Sequence, residues 1–107
     1  MEYREEMYEE YKASDNKEIV IAGETYYKVI DIYKLAEYNM IMLPSDIFKW
    51  KSSTLIDEKG NVFKVGSPMH CSFIDKAPEW YMHTLSFPIW EIEPEKIGSY
   101  VRLAEEN

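Results

Sequence analysis

Residues 52–65, SSTLIDEKGNVFKV, carry the most specific folding signal in this chain. Two runs of β-forming residues flank a polar break that begins at Asp57 and ends at Gly60. The Asp57 carboxylate can accept a backbone hydrogen bond at the first turn position, and Gly60 can adopt the positive φ that closes a type I turn with a bulge. The stretch therefore predicts a β-hairpin.

Both faces of this predicted hairpin carry apolar side chains. Leu55, Phe63 and Val65 fall on one face, because alternate residues of a strand point to the same side. Ile56 and Val62 fall on the other face. The pattern predicts a sheet that is covered on each side or curled into a small barrel.

Short apolar runs separated by turn residues continue on both sides of the hairpin. A second hairpin, joined through Gly23, is predicted from residues 18–22 and 25–32. A loop or single helical turn is predicted for residues 33–38, followed by a buried strand at 39–43.

Four further strands are predicted in the second half of the chain, at residues 69–74, 80–87, 89–92 and 99–104. Pro88 is expected at a sheet edge or a strand end, because proline cannot donate a ladder hydrogen bond.

Before these strands, residues 2–12 predict an amphipathic helix. Tyr3, Met7 and Tyr11 recur every four residues against a field of glutamates, which makes one narrow apolar stripe. A helix this short needs a surface to pack on. We expect it to dock on the sheet of its own chain; a frayed segment and a helix that orders on a partner are the alternatives.

The predicted fold class is α+β and mostly β: a small antiparallel barrel or sandwich of about seven strands with an N-terminal amphipathic helix. A chain of 107 residues supports one hydrophobic core, so residues 1–107 form one predicted domain. Within it, the helix occupies residues 1–13 and the β body residues 18–104.

The charge balance restricts the classes of partner. Twenty acidic residues against 12 basic ones give a net charge of −8. This field disfavours nucleic acids and anionic membranes. The single cysteine, Cys71, excludes an internal disulfide and favours a reducing compartment. The acidic start of the chain and the lack of an apolar run of about 20 residues favour a cytoplasmic protein without a membrane span.

Reactive side chains are few. His70, Cys71 and His83 are the soft-ligand residues, and a structural zinc site needs four ligands, so no metal or cofactor is expected. Nucleophilic catalysis would need the Cys71 sulfur within hydrogen-bond reach of a histidine, together with a pocket and an oxyanion donor. A buried, structural Cys71 is favoured.

Aromatic and acidic side chains give the candidate contact residues. Tryptophan and tyrosine beside carboxylates are typical of protein interfaces, whereas large aromatics in small barrels also fill the core. Both interpretations stay open for the Trp-Tyr pair that follows residues 78–79. The candidate partner-binding residues are Glu5, Glu9, Trp80, Tyr81, Trp90, Glu91 and Glu93.

In composition the chain resembles the small acidic accessory proteins of bacteriophages and mobile elements, and small immunity proteins. The expected function is a non-enzymatic protein that covers a basic or mixed surface on another protein. One alternative is a small-ligand-binding protein or Cys/His enzyme with a barrel pocket. Another is a structural module that dimerises, with unpaired strand edges as one route. Nucleic-acid binding would need lysines and aromatics to segregate onto one side.

Overall fold

A computed structural model describes residues 4–69 and 78–104. One helix, α1 (Glu5–Ala13), precedes the strands. The strands are β1 (Glu18–Ile21), β2 (Glu24–Lys28), β3 (Asp31–Leu35), β4 (Tyr38–Pro44), β5 (Ser53–Asp57), β6 (Val62–Val65), β7 (Thr84–Trp90) and β8 (Tyr100–Leu103). Two short 3-10 helices, Glu79–His83 and Pro94–Lys96, flank β7.

The eight strands form one antiparallel sheet in the order β1-β2-β8-β5-β6-β7-β4-β3. The predicted mostly-β class with an N-terminal helix is confirmed. The strand pairings leave β1 and β3 as the two ends of the sheet, so a closed barrel is not confirmed.

The sheet is nevertheless strongly curled, because β2 and β3 follow one another in the chain but lie toward opposite ends of the strand order. The N–H of Val29 donates to the carbonyl of Ser99 beside β8, and the N–H of Ile30 donates to Met42 of β4. Two successive residues therefore connect the two ends of the sheet. An open sheet can meet this condition only by bending round on itself.

The main hydrophobic core fills the inside of this curve. Leu55, Phe63 and Val65 are buried there, so the predicted inner face of the central hairpin is confirmed. On its other face Ile56 is half-buried and Val62 is 62% exposed. The expectation that both faces of this hairpin are covered is therefore wrong, since no described element lies over β6.

Two-sided burial occurs instead at β4 and β7. Their outer face carries a second cluster made of Ile30, Met42, Trp80 and Tyr81. Tyr8 of α1 packs against this cluster, with its ring 5.1 Å from that of Trp80. The predicted docking of the helix on its own sheet is thus confirmed.

The turn of the central hairpin follows the predicted chemistry. Gly60 has φ 91°, and the Asp57 carboxylate accepts hydrogen bonds from the backbone N–H groups of Lys59 and Asn61. Its other oxygen accepts from the Asn61 side chain at 2.9 Å and from the Gly98 N–H at 2.8 Å. This carboxylate therefore ties the hairpin to the turn before β8.

Burial alone would raise the pKa of Asp57. The hydrogen bonds from Asn61, Gly98 and Lys59 stabilise the carboxylate more than burial destabilises it, and hold its pKa below the ordinary value. The group is consequently charged in the folded protein at neutral pH.

Two predicted element types are wrong. The loop or helical turn expected at residues 33–38 is part of the β3–β4 hairpin, which turns at Ala36 with φ 54°. The strand expected at 80–87 begins as the 3-10 helix Glu79–His83 and becomes β7 only at Thr84. Of the strand expected at 69–74, only Met69 lies within the described residues.

Pro88 also departs from its prediction, since it lies inside β7 between β4 and β6. It pairs with Met40 of β4, and its carbonyl accepts the N–H of Gly66 immediately after β6 ends. Proline lacks the backbone N–H that would donate toward β6, and at this position β6 has already ended. This explains how an interior strand tolerates it.

Candidate functional site

An exposed aromatic pair lies where the outer face of the sheet is no longer covered by α1. Met40 pairs with Pro88, so the antiparallel register places Tyr38 next to Trp90 on the same face. Their rings meet edge to face, with centroids 6.0 Å apart and an interplanar angle of 79°. Trp90 is 42% exposed and Tyr38 is 38% exposed.

A shallow groove with a volume of about 340 Å³ runs beside Trp90 on the same side of the sheet. Trp90 pairs with Lys64 of β6, and Lys64 pairs with Thr54 of β5. A row of outward side chains therefore crosses four strands. The groove is lined by Ser52, Ser53, Thr54, Lys64, Val65, Gly66 and Trp90.

Gly66 allows the indole to lie over the end of β6. A Cβ on Gly66 would be 3.1 Å from Nε1 of Trp90 and 2.9 Å from Cγ of Pro88. Both distances are shorter than normal packing allows. The position of the Trp90 ring therefore depends on residue 66 being glycine, which has no Cβ.

The acidic residues after Trp90 are exposed, as predicted. Glu91 has φ 65°, a value that ends β7 and turns the chain away from the sheet. Glu93 precedes the 3-10 helix Pro94–Lys96, and its carboxylate lies 3.6 Å from the Lys96 ammonium. Carboxylates thus follow the aromatic pair directly in the chain.

Trp80 and Tyr81 are placed differently from Trp90. Both are buried, with ring centroids 5.9 Å apart and the rings nearly perpendicular. The choice between core and interface is therefore settled in favour of the core for these two residues. Residues 80–87 were predicted to form a strand, whereas Trp80 and Tyr81 lie in a 3-10 helix, and Tyr8 stacks on Trp80.

Glu5 and Glu9 lie on the exposed side of α1. The Glu9 carboxylate is 4.0 Å from the ammonium of Lys12, one turn further along. These two acids lie on the helix and not on β4 or β7, the strands that carry Tyr38 and Trp90. The structure therefore groups Trp90 with Glu91 and Glu93, and not with the helical glutamates.

The outer face of β8, β2 and β6 carries cations and tyrosines together, which is the arrangement that nucleic-acid binding would need. Lys28 lies over the ring of Tyr100 at 5.5 Å, and Arg102 lies over the ring of Tyr26 at 5.4 Å. These two cations face rings of the sheet itself, whereas Lys64 is exposed. Two stacked cations and one exposed lysine are a small countercharge to −8, and the expectation that nucleic acid is disfavoured stays a prediction from this charge.

The Cys/His hypothesis concerns residues that fall mainly outside the described part of the chain. His70 and Cys71 are not within residues 4–69 or 78–104, and His83 is exposed at the end of the 3-10 helix Glu79–His83. Within those ranges, no group of three or more His, Cys, Asp or Glu side chains is arranged to hold a metal ion. Over the same residues, no helix has the length and hydropathy needed to cross a membrane.

Tyr38 is a candidate contact residue that the predictions from sequence did not include. It was assigned to a loop or helical turn, because residues 33–38 contain several helix formers. Tyr38 lies two residues before Met40. If the strand predicted at residues 39–43 is extended by one residue to Tyr38, the side chains of Tyr38 and Met40 lie on the same face.

Comparisons of the chain with protein-family models, with curated proteins and with solved structures found no match.

Proposed function

We propose that this chain is a non-enzymatic binding protein that covers a basic or mixed surface on another protein. The observation that supports this function is the exposed edge-to-face pair of Trp90 and Tyr38, followed by the exposed carboxylates of Glu91 and Glu93. Tryptophan and tyrosine are the residues most often found at the energetic centre of protein interfaces. They bury a large area and lose little side-chain entropy.

Charge supports a basic partner. The chain carries −8, and Glu91 and Glu93, which are exposed and follow Trp90 in the chain, carry part of that charge. Glu5 and Glu9 on α1 contribute to the same long-range field. Such a field accelerates the encounter with a positively charged surface and disfavours acidic competitors.

This mode of action is that of an accessory, inhibitor or immunity-type protein. We place it in the reducing, cytoplasmic compartment that a single cysteine favours. The curled eight-strand sheet would serve as a sandwich-like or barrel-like frame for the aromatic pair. Its role is to keep Trp90 and Tyr38 in a fixed geometry, which lowers the entropy cost of binding.

The test is a quantitative affinity capture with the full chain and three variants. Trp90→Ala and Tyr38→Ala remove the two rings, and Met82→Ala is the matched control, because Met82 is a large apolar side chain that is 57% exposed elsewhere. A basic protein should be retained by the wild type and by the control. Loss of a hot-spot side chain costs about 2 kcal/mol or more, so Trp90→Ala should weaken binding by about 30-fold.

A charge variant separates steering from contact. Glu91→Gln together with Glu93→Gln should slow association and reduce its salt dependence, with a smaller effect on dissociation. Far-UV circular dichroism would check that each variant is folded. Equal retention of the same partner by the wild type and by a folded Trp90→Ala variant would contradict the proposed contact surface.

A further inference from the structure

The β1 end of the sheet is uncovered. Within residues 4–69 and 78–104, β1 pairs only with β2, and it contains no proline or bulge. Val20 is 67% exposed and Ile21 is 40% exposed. Proteins normally protect apolar edge strands, because the free backbone groups of such a strand can pair with another chain.

The opposite end of the sheet is protected in a way that β1 is not. The side chain of Arg4, just before α1, hydrogen-bonds Asp31 at the start of β3. Met7 and Tyr11 of the helix line a groove together with residues 28–32. The helix therefore lies beside the start of β3, whereas no described element lies beside β1.

The hydrogen-bond pattern shows which groups of β1 are available. The N–H of Lys28 donates to the carbonyl of Lys17 at 2.9 Å, which makes these two residues a hydrogen-bonded pair. Such pairs alternate along an antiparallel ladder, so Ile19 and Ile21 also bond to β2. The N–H and C=O groups of Glu18 and Val20 therefore point away from the sheet.

We propose that β1 pairs antiparallel with β1 of a second copy, with Glu18 of each copy opposite Val20 of the other. Each copy then donates two N–H groups and accepts at two carbonyls, and the two eight-strand sheets become continuous. The two Ile19 side chains face each other at the two-fold axis. This surface is isologous, so the same residues act on both sides.

Charge complementarity favours this register. Ile21 pairs with Glu24 in its own hairpin, and the register brings Lys17 of the second copy to the other side of Ile21. Glu24 and that Lys17 are then two strand spacings apart, about 10 Å between backbones. In the single chain the Lys17 ammonium donates to the carbonyls of Lys12 and Ser14, and the Glu24 carboxylate lies 4.0 Å from Arg102, so an ion pair across the dimer would replace these contacts. The next register, in which Glu18 would face Glu18, sets like charges opposite each other.

This pairing is independent of the proposed partner surface. Trp90 lies on β7, five strands away from β1 in the sheet order. A dimer would present two aromatic pairs, and a partner with two binding sites would be held by both. Loss of the dimer and loss of partner binding are therefore distinguishable by experiment.

The first test is sedimentation equilibrium of the full chain between about 1 and about 500 µM. The mass should rise with concentration from 12.7 kDa to twice that value. Val20→Pro removes an N–H that makes no bond to β2, so it should prevent edge pairing while the β1–β2 hairpin remains. Val20→Glu should also weaken the dimer, by about tenfold or more, because it places a carboxylate directly opposite Glu18 of the other copy.

Val62→Glu is the matched control, since Val62 is another strand valine that is 62% exposed and the substitution adds the same charge. It should dimerise like the wild type. A wild type that stays monomeric over the whole range would overturn the proposal. A Val20→Glu variant that dimerises as tightly as the wild type would overturn it equally.

Amide hydrogen exchange gives a readout specific to the register. The amides of Glu18 and Val20 should exchange rapidly in dilute protein and slowly in concentrated protein. The amides of Ile19 and Ile21 bond to β2 and should be protected at both concentrations. A dimer in which the exchange of Glu18 and Val20 does not change with concentration would form through another surface and contradict the inference.

Discussion

The α-carbon of Gly98 lies directly against the side-chain carboxylate of Glu58, so that a Cβ at residue 98 would overlap Oε1. The carboxylate is held there by the backbone N–H groups of Ser99 at 3.0 Å and Tyr100 at 3.1 Å. Glu58 of the central hairpin and the start of β8 are thus joined by contacts that leave no space at residue 98.

Gly98→Ala should therefore lower the free energy of unfolding by about 1–3 kcal/mol, because the carboxylate must move and lose its two N–H donors. In a Glu58→Ala background the same change should cost little, since the obstructing group is gone. Urea denaturation of the four proteins in this double-mutant cycle measures the coupling. A cost of Gly98→Ala that is the same in both backgrounds would show that Glu58 is not the cause.

Asp57 provides a prediction on acid stability. Its pKa is lowered in the folded state, so its contribution is present above the ordinary Asp pKa of about 3.9 and is lost as the pH falls through the lower folded pKa. Asp57→Asn should remove this part of the acid-induced loss of stability. It should also cost about 2–4 kcal/mol at neutral pH, because a carboxylate that accepts four hydrogen bonds is replaced by an amide.

Urea midpoints measured from pH 2 to 7 would check this prediction, with an exposed acid, Glu95→Gln, as the control. The control should follow the wild-type curve. Parallel curves for Asp57→Asn and the wild type at acid pH would mean that Asp57 does not titrate differently in the folded and unfolded states.

The predictions from sequence are confirmed where the residues of a short segment determine its backbone conformation. The hairpin of residues 52–65 was predictable because Asp57 and Gly60 specify the turn, and both behave as the pattern indicates. The turn through Gly23 is equally local, and Gly23 has φ 82°. In each case the partner strand is the next one in the chain.

The features of the fold that were not predicted depend on contacts between residues that are distant in the sequence. The placement of β8 between β2 and β5 has no local signal. Ala36 turns the β3–β4 hairpin with a conformation that alanine rarely adopts, so no turn is predictable from the residue type at this position. Trp80 is buried because Tyr8 covers it, which requires the docked helix. Trp90 is exposed because α1 covers another part of the outer face of the sheet.

The β1–β2 turn is not optimal for its conformation. Ala22 has φ 52° and Gly23 φ 82°, as in the type I′ turns that prefer Asn-Gly. The left-handed region costs alanine about 1 kcal/mol, and asparagine tolerates it better. Ala22→Asn should therefore raise the free energy of unfolding by about 0.5–1 kcal/mol.

Thermal and urea denaturation would measure this gain. Ala13→Asn, at the last position of α1, is the matched control, because no left-handed conformation is found there and asparagine is a poorer helix former than alanine. That variant should be unchanged or slightly destabilised. A loss of stability in Ala22→Asn would show that the turn conformation is not what limits the hairpin.

Arg4 and Asp31 join α1 to β3, and this pair provides a pH-dependent test of helix docking. Asp31 is buried, which raises its pKa, while the hydrogen bonds and charge of Arg4 lower it in part. A raised folded pKa means that the contribution of Asp31 to stability is greatest at low pH and is lost as the pH rises through that pKa. Arg4→Ala should raise the Asp31 pKa further and enlarge the loss.

At neutral pH the Arg4→Ala variant should lose about 1–3 kcal/mol, less than for a fully buried pair because the arginine is partly exposed. The difference in the free energy of unfolding between the wild type and Arg4→Ala should be smaller at pH 4, where Asp31 becomes protonated more readily. In an Asp31→Asn background, Arg4→Ala should cost little at either pH, since no buried charge needs a partner. A deficit that stays constant between pH 4 and 7 would mean that Arg4 stabilises the helix through packing, and not through the charge of Asp31.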